Sequence, residues 1–196
     1  MQERAKITKS KILDTAIKLF AELGFYGTRV DAVAEKARVN KQRIYAYYGN
    51  KNRLFEAALS HVFEEVAMFS PETESRALGN PDKLTEMVLE DFMTLHEKFP
   101  YFWRMLAWAN LNNDISTESL LEIKASSSKV VEKAFELAQA KGLIKNNISY
   151  TTYIFNLMAV SFFYYANRKT LSKSFSGEIY TPAGQKALMG EIASLF

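Results

Sequence analysis

Cysteine is absent from this 196-residue chain, so it has no disulfide framework, no thiolate nucleophile and no cysteine-based zinc site. Strand-like alternation is nearly absent too. Histidine occurs twice, at His61 and His96. No Glu-x-x-His pair, HExxH, Gly-x-Ser-x-Gly elbow or Gly-rich phosphate loop occurs, and those absences argue against an enzyme and against a bound cofactor. His61 has Glu64 and Glu65 one turn away, a spacing that fits either a metal site or a solvated polar face. The first residues, Met1 to Lys11, are polar and charged and hold no apolar signal region, which leaves the cytoplasm as the expected location. Charge is missing altogether from Asn146 to Asn167, a stretch long enough to cross a bilayer. Its Asn, Ser and Thr residues are too polar for hydrocarbon, however, and the segment reads as a helix buried in protein.

What the chain does have is 48% apolar residues, enough for a real core, and an uneven distribution of charge. Residues 1–53 carry twelve Lys and Arg against five Asp and Glu, whereas residues 54–196 carry thirteen against seventeen. A basic module ahead of a mildly acidic body suits a nucleic-acid reader, because Lys and Arg replace counterions condensed on phosphates. A solvated basic face is the alternative reading of charge alone.

Apolar residues recur at helical spacing almost throughout, with Pro and Gly marking the breaks, so the fold class is all-α with about nine helices. The first helix is expected from about Thr8 to Leu23, stopped by Gly24. A second begins at Thr28, whose hydroxyl is placed to cap it while Asp31 reaches back. Its stripe is Val30, Val33, Ala34 and Ala37. After a turn through Arg38 and Val39, Asn40 caps a third helix over Lys41–Tyr48, which Gly49 ends. Two short helices, a tight turn and a helix ahead of them make a helix-turn-helix. Further helices are expected over Asn50–Phe69, from Pro81, over Tyr101–Leu111, over Ser116–Lys141, over Ser149–Leu171 as the eighth, and from Pro182 to the C-terminus as the ninth. The expected domains are therefore 1–49, DNA-binding, and 50–196, a helical body.

Turning the third helix so that Ile44 and Tyr48 face the core, at about 100° per residue, sets Gln42 and Ala46 opposite, flanked by Arg43 and Tyr45. That outer face has base-reading chemistry. Gln pairs bidentately with adenine, Arg with guanine, and Ala meets a thymine methyl in the major groove. The hydroxyls of Tyr45 and Tyr47 suit phosphate oxygens, which set register without reading sequence. Cations also sit where a helix dipole disfavours them: Lys9 and Lys11 at the first helix, Lys41 and Arg43 at the third, Lys51 and Arg53 at the fourth. An external anion such as the DNA backbone would explain them.

The run Thr28 to Phe55, TRVDAVAEKARVNKQRIYAYYGNKNRLF, closely resembles the N-terminal signature of TetR-type regulators, and Ala16 to Phe25, AIKLFAELGF, looks like that family's first helix. The resemblance covers about residues 8 to 60. It implies that Thr28, Tyr45, Tyr47 and Lys51 hold phosphates while Lys41, Gln42 and Arg43 face bases. Two positions depart from the pattern: Arg38 in the turn and Gln42 early in the third helix stand where the family often has Gly. A left-handed turn costs a non-Gly residue roughly 1 kcal/mol, which a folded domain tolerates.

The resemblance further implies a C-terminal helical ligand-binding and dimerisation domain, a homodimer whose eighth and ninth helices form a four-helix interface, and a small-molecule effector. The eighth helix fits, being apolar on two faces: Tyr153, Leu157 and Tyr165 on one, Phe155, Phe162 and Phe163 on the other. A dimer also spaces two reading helices about 34 Å apart, one per successive major groove of a palindrome. Large aromatics and adaptable Met crowd Phe92 to Trp108, as in an apolar ligand cavity or in a plain core. Phe92, His96, Trp103, Trp108, Asn156 and Tyr165 are the candidate effector contacts. The function expected is a ligand-responsive transcription regulator, a repressor released from a palindromic operator by a small molecule. The alternative is a structural DNA-binding protein with no sequence preference and no effector.

Overall fold

A computed structural model describes residues 2–67, 73–112, 129–174 and 177–196, and among these every regular element is helical. The α-helices are α1 Gln2–Gly27, α2 Val30–Ala37, α3 Lys41–Tyr48, α4 Lys51–Ala67, α5 Thr73–Arg76, α6 Leu84–Lys98, α7 Pro100–Asn110, α8 Lys129–Ala140, α9 Tyr150–Ala166, α10 Arg168–Ser174 and α11 Pro182–Ala193. The count exceeds the expected nine because two short helices, α5 and α10, carry no periodic stripe long enough to read. Asn167, with φ −106° and ψ 3°, separates α9 from α10, where a single helix to Leu171 was expected. The first part of the expected Ser116–Lys141 helix lies outside the described residues. No helix among the described residues is long and apolar enough to cross a membrane.

The chain divides into two compact units, the first formed within Met1–Met68 and Phe99–Lys124, the second within Phe69–Lys98 and Ala125–Phe196. Residues 1–49 therefore share a unit with α4 and α7. The reason is the core of that unit. Ile12, Ala16 and Phe20 from α1, Ile44 from α3, Leu54, Phe55 and Leu59 from α4 and Met105 from α7 are all buried in one cluster. Phe20 meets Phe55 edge-on with centroids 4.9 Å apart, and Phe25 does the same at 5.6 Å. Such T-shaped pairs set the positive edge of one ring on the negative face of the next.

Two of the expected helix starts in the first unit are different in the structure, and in the second unit the helix expected from Pro81 begins as α6 at Leu84, after a 3-10 turn over Pro81–Lys83. The first helix begins at Gln2, so Lys9 and Lys11 lie well inside it, and of the three expected cation pairs only those of α3 and α4 stand in a first turn. The second begins at Val30 after Arg29, with no side-chain cap. Thr28 is buried instead, its hydroxyl donating to the carbonyls of Leu19 at 3.0 Å and Gly24 at 2.8 Å. Gly24, at φ 73° and ψ 177°, breaks the helical run inside α1, and its carbonyl also accepts the Thr28 N–H at 3.2 Å.

The turn into α3 closes as its residues dictate. Arg38 takes the left-handed conformation, φ 54° and ψ 48°, and its N–H bonds back to Ala34 and Glu35. Asn40 Oδ1 then accepts the N–H of Gln42 at 2.9 Å, and Gly49 ends α3 with its N–H on Tyr45 O at 2.8 Å. Asn50 Oδ1 caps α4 by accepting from Arg53 N at 2.9 Å. These caps satisfy amides that a short helix would leave bare.

The second unit buries Leu84, Val88 and Leu89 of α6 against Ala134 and Phe135 of α8 and Tyr153 and Leu157 of α9. Tyr153, fully buried, places its hydroxyl 3.1 Å from Thr85 Oγ1, which satisfies that deep phenol. Ser149 caps α9 and Thr181 caps α11, each by a hydroxyl accepting an N–H three residues on.

Candidate nucleic-acid interface

The third helix presents the face that its sequence periodicity predicts. Ile44 is 1% exposed and anchors α3 in the core, while Gln42, Arg43, Tyr45 and Ala46 are all exposed. A helix of eight residues has little intrinsic stability, so the Asn40 cap and the Ile44 anchor hold it. Gln42 and Arg43 lie in its first turn, on the exposed side and beside the N-terminal amides.

The expected backbone contacts occupy different surroundings. Tyr45 is exposed, whereas Tyr47 is half-buried against the core with the Lys9 ammonium 5.3 Å from its ring centroid. Tyr48 donates its hydroxyl proton to Lys9 O at 3.1 Å, tying the end of α3 to α1. Lys51, at the start of α4, lies 4.5 Å from the centroid of Phe25, and burial lowers its pKa from the ordinary lysine value. A phosphate oxygen beside it would oppose that shift, because an anion favours the charged form. Thr28 differs from the others, since its hydroxyl proton is engaged inside the unit.

One relevant residue was read only as part of a helix cap. Asp31 binds the Lys41 ammonium through both carboxylate oxygens, at 2.8 Å and 2.9 Å. This hydrogen-bonded carboxylate is the main cause of a raised Lys41 pKa. The two residues lie ten apart in sequence, and no local spacing rule joins positions across a turn.

The candidate effector residues separate. In the second unit, His96 Nδ1 lies 2.9 Å from Phe92 O and 2.7 Å from Ser161 Oγ. A carbonyl only accepts, so the geometry assigns the proton to Nδ1. The Tyr165 ring stacks on the imidazole with centroids 6.3 Å apart, which gathers Phe92, His96 and Tyr165 in one place. Asn156 is exposed and donates to Thr152 O at 2.7 Å. Trp103 and Trp108 belong to the first unit, where Trp103 is half-buried beside Arg104 and Trp108 packs on Gly24. Sequence reasoning missed a groove of about 480 Å³ between α6 and α11, lined by Glu86, Glu90, Met93, Glu97, Gln185 and Met189 among others. None of the six candidates lines it. Its residues alternate with core positions along α6 and read as an ordinary solvated face.

His61 lies 3.9 Å from Glu64 and 3.7 Å from Glu65, loose contacts on an open helix face. Among the described residues no group of three or more His, Cys, Asp or Glu is arranged to hold a metal ion.

A short capped helix with an exposed Gln-Arg face, packed behind a second helix on a core shared with α1, α4 and α7, defines the head of a helix-turn-helix DNA-binding regulator. Comparison with known proteins gives the family. Residues 12–58 match the family model described as bacterial regulatory proteins, tetR family, and residues 81–194 match the tetracyclin repressor-like, C-terminal domain. The chain belongs to the TetR family of transcription regulators. It is 29% identical over 174 residues to the HTH-type transcriptional repressor NicS of Pseudomonas putida, covering 87% of this chain and 81% of that one. The HTH-type transcriptional repressor SCO4008 of Streptomyces coelicolor is 31% identical over 156 residues, 79% and 76% of the two chains. Among solved structures, the transcriptional regulator SCO4942 of Streptomyces coelicolor superposes with a TM-score of 0.69 at 19% identity, over 96% of this chain and 98% of that one. That likeness extends the shared fold over nearly the whole length.

Proposed function

We propose that the chain is a repressor that binds a palindromic operator as a homodimer, acts in the cytoplasm and leaves DNA when a small molecule binds its body. Residues 1–49 are the DNA-reading part and 50–196 the effector-binding and dimerising part. The observation that carries the reading is the α3 face itself, with Gln42, Arg43 and Ala46 exposed over a buried Ile44. Gln42, Arg43 and Ala46 read base edges, Lys41 reaches the duplex beside them, and Tyr45, Tyr47 and Lys51 hold phosphates. Thr28 acts indirectly: a phosphate accepts protons, and the Thr28 proton already braces the corner between α1 and α2.

Support for a homodimer through α9 and α11, the helices read from sequence as eighth and ninth, comes from the apolar residues α9 leaves uncovered. Phe155 is 62% exposed, Phe163 56% and Met158 42%. They lie on one face of the helix, and a second copy removes them from water. Phe92, His96 and Tyr165 form the proposed effector contacts in the second unit, with Asn156, Trp103 and Trp108 the remaining candidates. The effector weakens operator binding only by its differential affinity for the DNA-free conformation, a coupling of about 1–3 kcal/mol that appears equally in both equilibria.

Selection of genomic fragments on the purified protein tests the reading. An enriched palindrome with half-sites about one helical turn apart is the expected result. Fragments bound without sequence enrichment would instead identify a structural DNA-binding protein.

A further inference from the structure

Lys41 stands at the first position of α3, next to Gln42 and Arg43, yet in the free protein its charge is already matched. Asp31 grips the ammonium with both oxygens, at 2.8 and 2.9 Å, and both side chains are open to solvent. The first 53 residues hold only five acidic side chains against twelve basic ones, and one of those five lies on the cation that opens the reading helix. A carboxylate with two oxygens on an ammonium presents much the same contact as a DNA phosphate.

We propose that Asp31 is a specificity-determining residue: it occupies Lys41 as an internal substitute for phosphate, and so withholds that lysine from duplexes that offer only backbone. The inference rests on α3 being the DNA-reading helix. Non-specific binding is almost entirely electrostatic, so an internal anion competes with most of what holds it. Operator binding also has base contacts from Gln42 and Arg43, which the carboxylate does not touch. Releasing Lys41 exchanges one anion for another and leaves the Asp31 charge beside the phosphates. Both effects weigh more on the purely electrostatic complex. The pair is exposed, so salt screens it and its influence fades as ionic strength rises.

A structural role makes the opposite prediction. If the pair only fastened α2 to α3, its loss would loosen the reading helix and weaken operator binding.

The full-length protein and its Asp31→Asn variant are titrated with the selected operator and with a random duplex of equal length, across a series of salt concentrations. Asp31→Asn is expected to bind the random duplex about two- to five-fold tighter near 0.1 M salt, with a log–log salt slope steeper by about one. The operator gains less, so the ratio of the two affinities falls. Lys41→Gln in the Asp31→Asn background removes the gain. Asp31→Ser, which also suits a helix start, repeats the measurement should the Asn variant fold poorly. An unchanged slope, or weakened binding to both duplexes while wild type still selects its operator, overturns the proposal alone. Wild type that selects no operator overturns the reading of α3 and this inference with it.

Discussion

The indole of Trp108 lies against the backbone of Gly24 so closely that a Cβ on the glycine would stand 2.8 Å from Trp108 Cε2. Gly24 also has φ 73° and ψ 177°, a region essentially closed to residues with a side chain. Gly24→Ala therefore meets two costs, backbone strain and overlap with the indole, of about 1–3 kcal/mol each. We expect Tm to fall by roughly 5–15 °C in thermal denaturation. Adding Trp108→Ala relieves only the overlap, so the double variant should recover part of the loss; no difference between Gly24→Ala and wild type would show that the contact is absent in solution.

Arg38 is the only non-glycine residue at positive φ among the described residues, and its side chain is exposed. Arg38→Gly removes the strain of the left-handed turn at some cost in unfolded-chain entropy. A net gain of about 0.5–1 kcal/mol, or a Tm higher by roughly 1–4 °C, is expected. A lower Tm would mean that the arginine makes a contact worth more than the strain.

On the reading face, Arg43→Ala should relax base preference at one operator position by about ten- to a hundred-fold. Lys51→Ala should weaken every duplex alike and flatten the salt slope by about one. Binding of a single-substitution operator library to each variant separates the two. Equal losses on operator and random DNA for Arg43→Ala would remove it from the base-reading set.

Burial lowers the His96 pKa from the ordinary value of 6.5, and the hydrogen bond to Phe92 O only partly opposes it. The unfolded chain therefore binds the proton first as pH falls. Stability from this residue is present in full above about pH 6.5 and is lost from there down through the lower folded-state pKa, by at most about 1.4 kcal/mol per pH unit. Urea denaturation between about pH 7.5 and 5 should show a smaller decline for His96→Gln than for wild type. Parallel declines in the two proteins would place the acid sensitivity elsewhere.

Phe155 and Phe163 carry most of the exposed apolar surface of α9. Phe163→Glu is expected to turn a dimer into monomers in sedimentation at micromolar concentration, and to cut operator affinity with it, because a buried unpaired carboxylate is costly at an interface. An unaltered dimer would move the interface to another face.

The reading helix was legible to the residue. Lys41–Tyr48, its Asn40 cap, its Gly49 stop and the burial of Ile44 all follow from local rules that act within four or five positions. The left-handed Arg38 was readable as well, from its place in a turn the family often builds with glycine. The Thr28 cap differs from the structure for a physical reason: a buried hydroxyl goes to whichever acceptor the fold offers, here the carbonyls of Leu19 and Gly24. The effector candidates scattered for a similar reason, since an aromatic stripe looks the same whether it faces a ligand, a core or, at Trp108, a glycine.

Sequence by itself determined the helical class, the position and outer face of the reading helix, and the membership of its residues in a TetR-type pattern, because all of these rest on short-range periodicity, capping and composition. Tertiary structure alone decided that α4 and α7 complete the core of the DNA-reading unit, that His96 is held by Ser161 sixty-five positions away, and that Lys41 is paired with Asp31. Those relationships join residues by packing across elements, and the distance between two side chains in space is set by the whole core rather than by any window of the chain.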